Sequence, residues 1–155
     1  MKNFRKAAAV LLAVVFVCVL ALSLVACGEK GTDYEKTITI VIGEGENQMV
    51  IADYKTGSKY LFDALNELSN QETNPLTLKG NWTQYGLFVT AIGNIEANTL
   101  LEYVCVMTND TDHQDVTNWA VTRKYGDVNV VSSDLGVSSL PLKDGAVYMF
   151  VVVGF

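Results

Sequence analysis

Cysteine, histidine, proline and positive charge are all scarce in this chain. Its 155 residues hold three cysteines, one histidine and two prolines, and eleven Lys and Arg stand against seventeen Asp and Glu, a net charge of −6. With His113 as the only histidine, a zinc site would have to be built mostly from carboxylates, and no nucleophile stands beside it in the sequence. Ser132, Ser133, Ser138 and Ser139 fall in turn-like sequence, without the Gly-x-Ser-x-Gly elbow that exposes a nucleophilic serine. There is no glycine-rich phosphate loop. These absences point away from an enzyme; a carboxylate pair for glycoside cleavage stays open, because its spacing is set by the fold. The shortage of basic residues points away from nucleic acid, whose phosphates need a basic patch, and from electrostatic adhesion to an anionic surface.

What positive charge there is lies unevenly. Lys2, Arg5 and Lys6 precede an uncharged apolar run from Ala7 to Leu22, and Leu24-Val25-Ala26-Cys27 comes next. A basic flank, an apolar stretch and small residues leading into a cysteine make a bacterial lipoprotein signal. The run is also about as long as a membrane span, which takes ~20 apolar residues. The small-residue motif and Gly28 after the cysteine favour cleavage. The expectation is that residues 1–26 are removed and that Cys27 carries lipid. The protein is then extracytoplasmic and lipid-anchored to the bacterial cell membrane, its membrane partner being the anchor itself. The 129 residues that remain carry eight Lys and Arg against the same seventeen acids. Cys18 goes with the signal and Cys27 takes the lipid, so Cys105 is left without a disulfide partner. Between Val104 and Val106 it reads as a small buried hydrophobe.

Residues 27–36 are polar and charged and read as a tether. Thr37 to Ile42 is β-branched throughout and predicts a strand. Gly43 to Asn47 predicts a turn and Met49 to Tyr54 a second strand. Ser58 is placed to cap a helix from Lys59 to Ser69, with Leu61, Phe62, Leu65 and Leu68 at helical spacing and Asn74-Pro75 beyond its end. Further strands are predicted at Leu87 to Ile92, Leu101 to Thr108, Trp119 to Arg123 and Val128 to Val131. Lys143-Asp144-Gly145 reads as a turn before Ala146 to Val153, a last strand apolar on both faces and therefore central. One helix packed on a mixed sheet is an α+β fold, and a β-grasp arrangement is its simplest form.

Four segments in this order carry a family resemblance. They are Thr37 to Ile42; Gly57-Ser58-Lys59-Tyr60-Leu61-Phe62-Asp63-Ala64-Leu65; Phe88-Val89-Thr90-Ala91-Ile92-Gly93; and Leu135 to Gly145. Together they resemble bacterial domains of unknown function that are similar to the C-terminal domain of transcobalamin and intrinsic factor. The resemblance covers 37–155 and implies a β-grasp domain that binds soluble ligands, with cobalamin or a similar corrinoid as the implied ligand. Phe62 stands where that family usually has Leu. Tyr103 to Asp110 stands at its aromatic strand without the neighbouring tryptophan, and residues 111–134 are longer than in its short members.

Tyr85, Tyr103 and Trp119 are the candidate ligand-binding residues. Tyr85 precedes the best-matching strand, Tyr103 stands where the resemblance places aromatics, and Trp119 opens the longer region. Flat rings with polar tips suit bulky cofactors, sugars or peptides, and they suit core packing equally. Asp110, Asp112, His113 and Asp115 form an acidic loop that lacks the turn glycine of a calcium loop. Two functions are open. One is capture of a small ligand for delivery to a membrane transporter. The other is a surface module that meets a protein or a cell-wall glycan.

Overall fold

The structure, a computed structural model, describes residues 35–155. The sequence readings on 1–34, including the signal and Cys27, lie outside the described residues. Strand β1 (Lys36–Ile42) and β2 (Met49–Thr56) form an antiparallel hairpin, as the β-branched run of Thr37 to Ile42 predicts. After β2 comes helix α1 (Leu61–Ser69). The remaining elements are β3 (Leu78–Thr83), β4 (Gly86–Ile92), β5 (Ile95–Glu96), β6 (Glu102–Thr108), β7 (Thr122–Tyr125), β8 (Val128–Ser132) and β9 (Val147–Gly154). Short 3-10 turns cover Gly45–Asn47 and Thr111–His113.

Six strands form one mixed sheet in the order β2-β1-β9-β6-β8-β7. β9 runs parallel to β1 and antiparallel to β6, so the last strand lies inside the sheet, as its two apolar faces predict. Ile38, Ile40, Ile42, Tyr148 and Phe150 face α1, which supplies Leu61, Ala64, Leu65 and Leu68. Cys105, Met107, Val41, Met149 and Val130 pack on the opposite face. That face is buried because the sheet curls. Arg123 on the far edge strand β7 forms an ion pair with Glu44, just beyond β1. The described residues are thus mostly strand with one α-helix, an α+β architecture as expected.

Three findings depart from the sequence reading. The helix starts at Leu61, not Lys59, and Ser58 does not cap it. The backbone N–H groups of Leu61 and Phe62 donate instead to the carbonyls of Leu140 and Val137, at 2.9 Å each, so a distant loop does the capping. Second, a separate antiparallel sheet exists, β3-β4-β5, of which the sequence predicts only β4. Leu78–Thr83 has the sequence LKGNWT and is mostly exposed, so it shows neither period-2 alternation nor a hydrophobic run. Gly80 is required there, because a Cβ would meet the Phe88 carbonyl oxygen at 2.4 Å. Third, the strand expected at Trp119 begins only at Thr122, which leaves Trp119 in the preceding loop.

Candidate functional site

A groove of about 500 Å3 lies between β2, the end of α1 and the β4–β5 turn. β2, the edge strand of the large sheet, gives it Met49, Ile51 and Tyr54. This set exists because of a β-bulge. Ile42 pairs with Met49 and Ile40 with Ile51, but Ile38 pairs with Tyr54, so Ala52 and Asp53 together oppose Thr39. Strict alternation would have put the carboxylate of Asp53 on this face. The extra residue turns it away and brings in the phenol of Tyr54. Asp53 takes a left-handed φ of 51° to do so.

The other walls come from α1 and the connection between α1 and β3. Leu68 lines the groove from the last turn of α1, and Leu76 closes the floor. The backbone N–H of Leu76 donates to the Leu68 carbonyl at 3.1 Å, which folds the connection back under the helix. Gln71, Asn74, Pro75 and Thr77 form the rim on that side. Asn74 has φ 53°, and Asn74 and Asp53 are the two non-glycine residues with positive φ among the described residues. Backbone in that region costs free energy and concentrates at ligand sites. Gly93, at φ +55°, closes the last side. Its missing Cβ would sit 3.1 Å from Ile42 Cδ1 and 3.3 Å from Met49 Sδ, so only glycine lets the β4–β5 turn reach the β1–β2 hairpin.

One carboxylate governs the electrostatics beside the groove. Glu67 accepts hydrogen bonds from Tyr54 Oη at 3.0 Å, Thr56 Oγ1 at 2.8 Å and Ser58 Oγ at 2.6 Å. Partial burial works to raise the Glu67 carboxyl, but the bonds from Ser58, Thr56 and Tyr54 outweigh it and hold it below the ordinary glutamate value. The phenol of Tyr54 is pushed up to about 12, by burial first and then by its bond to Glu67 and that residue's charge. Ser58 therefore ties α1 to the end of β2 through Glu67.

The three aromatic candidates stand apart. Tyr85 is 83% exposed at the β3–β4 turn and lines a second, shallower hollow of about 460 Å3 with Phe88 and Gly136. That turn is fixed by Thr83, whose Oγ1 accepts from the Tyr85 N–H at 3.1 Å and donates to the Gly86 carbonyl at 2.9 Å. Tyr103 is half-buried on the face of the large sheet opposite α1, its ring 5.3 Å from that of Phe155. Trp119 is 88% exposed in the loop before β7. Neither the groove nor the shallower hollow is lined by Tyr103 or Trp119.

The acidic loop is more than a solvated stretch. Asp110 is buried and its carboxylate accepts from the ammonium of Lys143, which also reaches Asp112 at 3.2 Å. Burial would raise the Asp110 carboxyl; the Lys143 bond, the backbone N–H of Asp112 and the nearby charges lower it on balance. Cys105 is buried, and burial pushes its thiol up to about 11, with Arg123 opposing and Asp115 adding to the shift. It is an inert core group, as its valine neighbours predict.

Sequence reasoning missed the groove because no residue type in it announces chemistry. The signals that were present are the Asn74-Pro75 stop and the Gly93 turn, both read only as structure. Compared with known proteins, the chain matches no family model and no curated protein. Among solved structures it is similar to a protein from Ruminococcus gnavus ATCC 29149, provisionally described as a metal binding protein. The two are 18% identical with a TM-score of 0.53, over 78% of this chain and 99% of that one. At that identity the likeness is one of fold, shared with a bacterial protein.

Proposed function

We propose that this chain is a membrane-tethered extracytoplasmic lipoprotein whose β-grasp domain captures a small ligand without performing chemistry on it, for delivery to a membrane transporter. The observation that carries the reading is the groove. Its volume falls within the range of small-molecule sites, and its lining is mainly apolar with a few polar groups at the rim. The β-grasp assignment is supported by the β1–β2 hairpin, the helix after it, and a last strand that returns parallel to β1. The resemblance to transcobalamin-type domains makes corrinoids one ligand class to test, and a corrinoid would overhang a trough of this size. Metal binding is the weaker reading. No three His, Cys, Asp or Glu side chains converge among the described residues, and Asp110 and Asp112 already hold the Lys143 ammonium.

The alternative, a surface module for a protein or a cell-wall glycan, is favoured by the exposure of Tyr85 and Trp119. One experiment separates the two. The full chain in phosphatidylcholine nanodiscs is screened by thermal unfolding against cobalamins, haem, flavins and neutral oligosaccharides. A ligand of the native state raises the melting temperature. We expect Gln71→Trp, which fills the groove from an exposed rim position, to abolish that rise, while Tyr85→Ala leaves it. A rise that survives Gln71→Trp and disappears in Tyr85→Ala would reverse the order of the two readings.

A further inference from the structure

The charge around the groove selects among ligands. No Lys, Arg, Asp or Glu lines it, yet its surroundings are not neutral. The C-terminal end of α1 meets the groove at Leu68, and the last turn of α1 has no basic residue. The backbone N–H groups of Asn70, Gln71 and Leu76 take its last carbonyls, and no cationic side chain adds to them in that turn. Glu67, bonded to the lining Tyr54, is met by hydroxyls alone. Glu72, next to the lining Gln71 in the chain, is exposed and has no cationic partner among the described residues. The two lysines nearest to the lining in sequence are already paired, Lys55 with Glu35 and Lys79 with Glu96, each at 3.8 Å. Lys36 donates to the Ser58 carbonyl at 3.2 Å and forms no ion pair with Glu67, so the charge bonded to the lining of this apolar trough is negative.

We infer that the groove takes an organic cation with an apolar body, a quaternary ammonium or a protonated hydrophobic amine. The inference rests on the groove being the ligand site proposed above. The apolar part gains by leaving water against Met49, Ile51 and Leu76. The charge stays at the rim beside Glu67, where the face of Tyr54 adds a cation–π attraction. An anion of the same shape meets this negative charge and is repelled.

The test uses three benzyl probes that differ in charge: benzyltrimethylammonium, uncharged N-benzylacetamide, and benzoate. Each is titrated against the full chain in phosphatidylcholine nanodiscs by ligand-detected NMR, with empty nanodiscs as reference. The cation should bind on the order of tenfold more tightly than the neutral probe, and benzoate should not bind. Glu67→Gln keeps the hydrogen-bond acceptor and removes the charge. It should weaken the cation several-fold and leave the neutral probe unchanged. Gln71→Trp should abolish both. If the neutral probe binds as tightly as the cation, the charge inference falls and the groove remains a ligand site. If no probe binds, or if Gln71→Trp binds as the parent does, the groove reading falls with it.

Discussion

β9 and β3 are of similar length and could hardly differ more. β9 reads VYMFVVVG and is buried along its first five residues, between β1 and β6 and between two hydrophobic clusters. β3 reads LKGNWT, and five of its six residues are exposed. The large sheet is held by burial on both faces. The small sheet is held by its ladder, by Val89 and Ile92, which β4 buries in the core, by Leu78 and Leu87, which lean on it, and by the Gly93 and Asn94 contacts with the β1–β2 hairpin. The first kind of region supplies stability. The second is set against the first and meets the groove through Gly93 of the β4–β5 turn.

The sharpest way to break this comparison is to delete one large side chain from each region. Phe150 is fully buried on β9, opposite Ile42 and Val106. Phe150→Ala should cost about 3–5 kcal/mol. Trp82 on β3 is 66% exposed, with its ring edge-to-face on Phe62 at 5.2 Å. Trp82→Ala should cost only about 1 kcal/mol, the worth of an aromatic pair. Urea unfolding of the two variants measures both. Equal losses would mean that β3 is packed as tightly as β9.

Legibility in the sequence divides along the same line. Thr37 to Ile42, Leu101 to Thr108 and the last strand are readable because burial of a sheet imposes β-branched and apolar residues, and the alternation of Tyr103, Cys105 and Met107 against Val104 and Val106 falls on the correct faces. The helix is readable from Leu61, Leu65 and Leu68. β3 and β5 are not, because an exposed edge strand imposes almost nothing on its side chains. Nor is the groove. Tyr54 reaches it through a bulge that a period of two cannot foresee, and Gln71 and Asn74 are ordinary loop residues until Pro75 and Leu76 fold them over the helix end. Tyr85, Tyr103 and Trp119 stand out by residue type and by their place in the resemblance. The fold places them on three separate elements.

A middle-sized effect sharpens the claim that the small sheet is held by its own ladder. In Gly80→Ala the new methyl must displace backbone, the Phe88 carbonyl. Such overpacking costs about 1–3 kcal/mol. If the two sheets are distinct in stability, the damage stays local. Amide hydrogen exchange should speed up across β3 and β4 while β6 and β9 keep their protection. Loss of protection in β9 as well would show that the regions unfold as one.

The smallest effect lies beside the groove, where Glu67 ties α1 to β2. Its carboxyl is held below the ordinary value of about 4.5, so its bonds to Ser58, Thr56 and Tyr54 stabilise the native state above that pH. The contribution is lost as pH falls through the lower native value. Tyr54 works at the other end of the scale. Its phenol, ordinarily at 10.0 and raised to about 12, must give up a proton that burial and Glu67 favour. Stability therefore falls as pH rises between those values. Glu67→Gln keeps one acceptor oxygen, enough for Tyr54 and Thr56, turns an NH2 donor toward Ser58 Oγ, and removes the charge. It should remove the part of the acid limb that belongs to Glu67, and leave the part that belongs to Asp110, whose carboxyl Lys143 also holds low. The alkaline limb should shrink but persist, because burial is the largest cause of the Tyr54 shift. Urea midpoints measured across pH for the parent and the variant read both limbs at once. An unchanged acid limb in Glu67→Gln would mean that the three hydroxyls do not hold the carboxylate in solution. The latch would then be open at the groove, and α1 and β2 would be free to separate there.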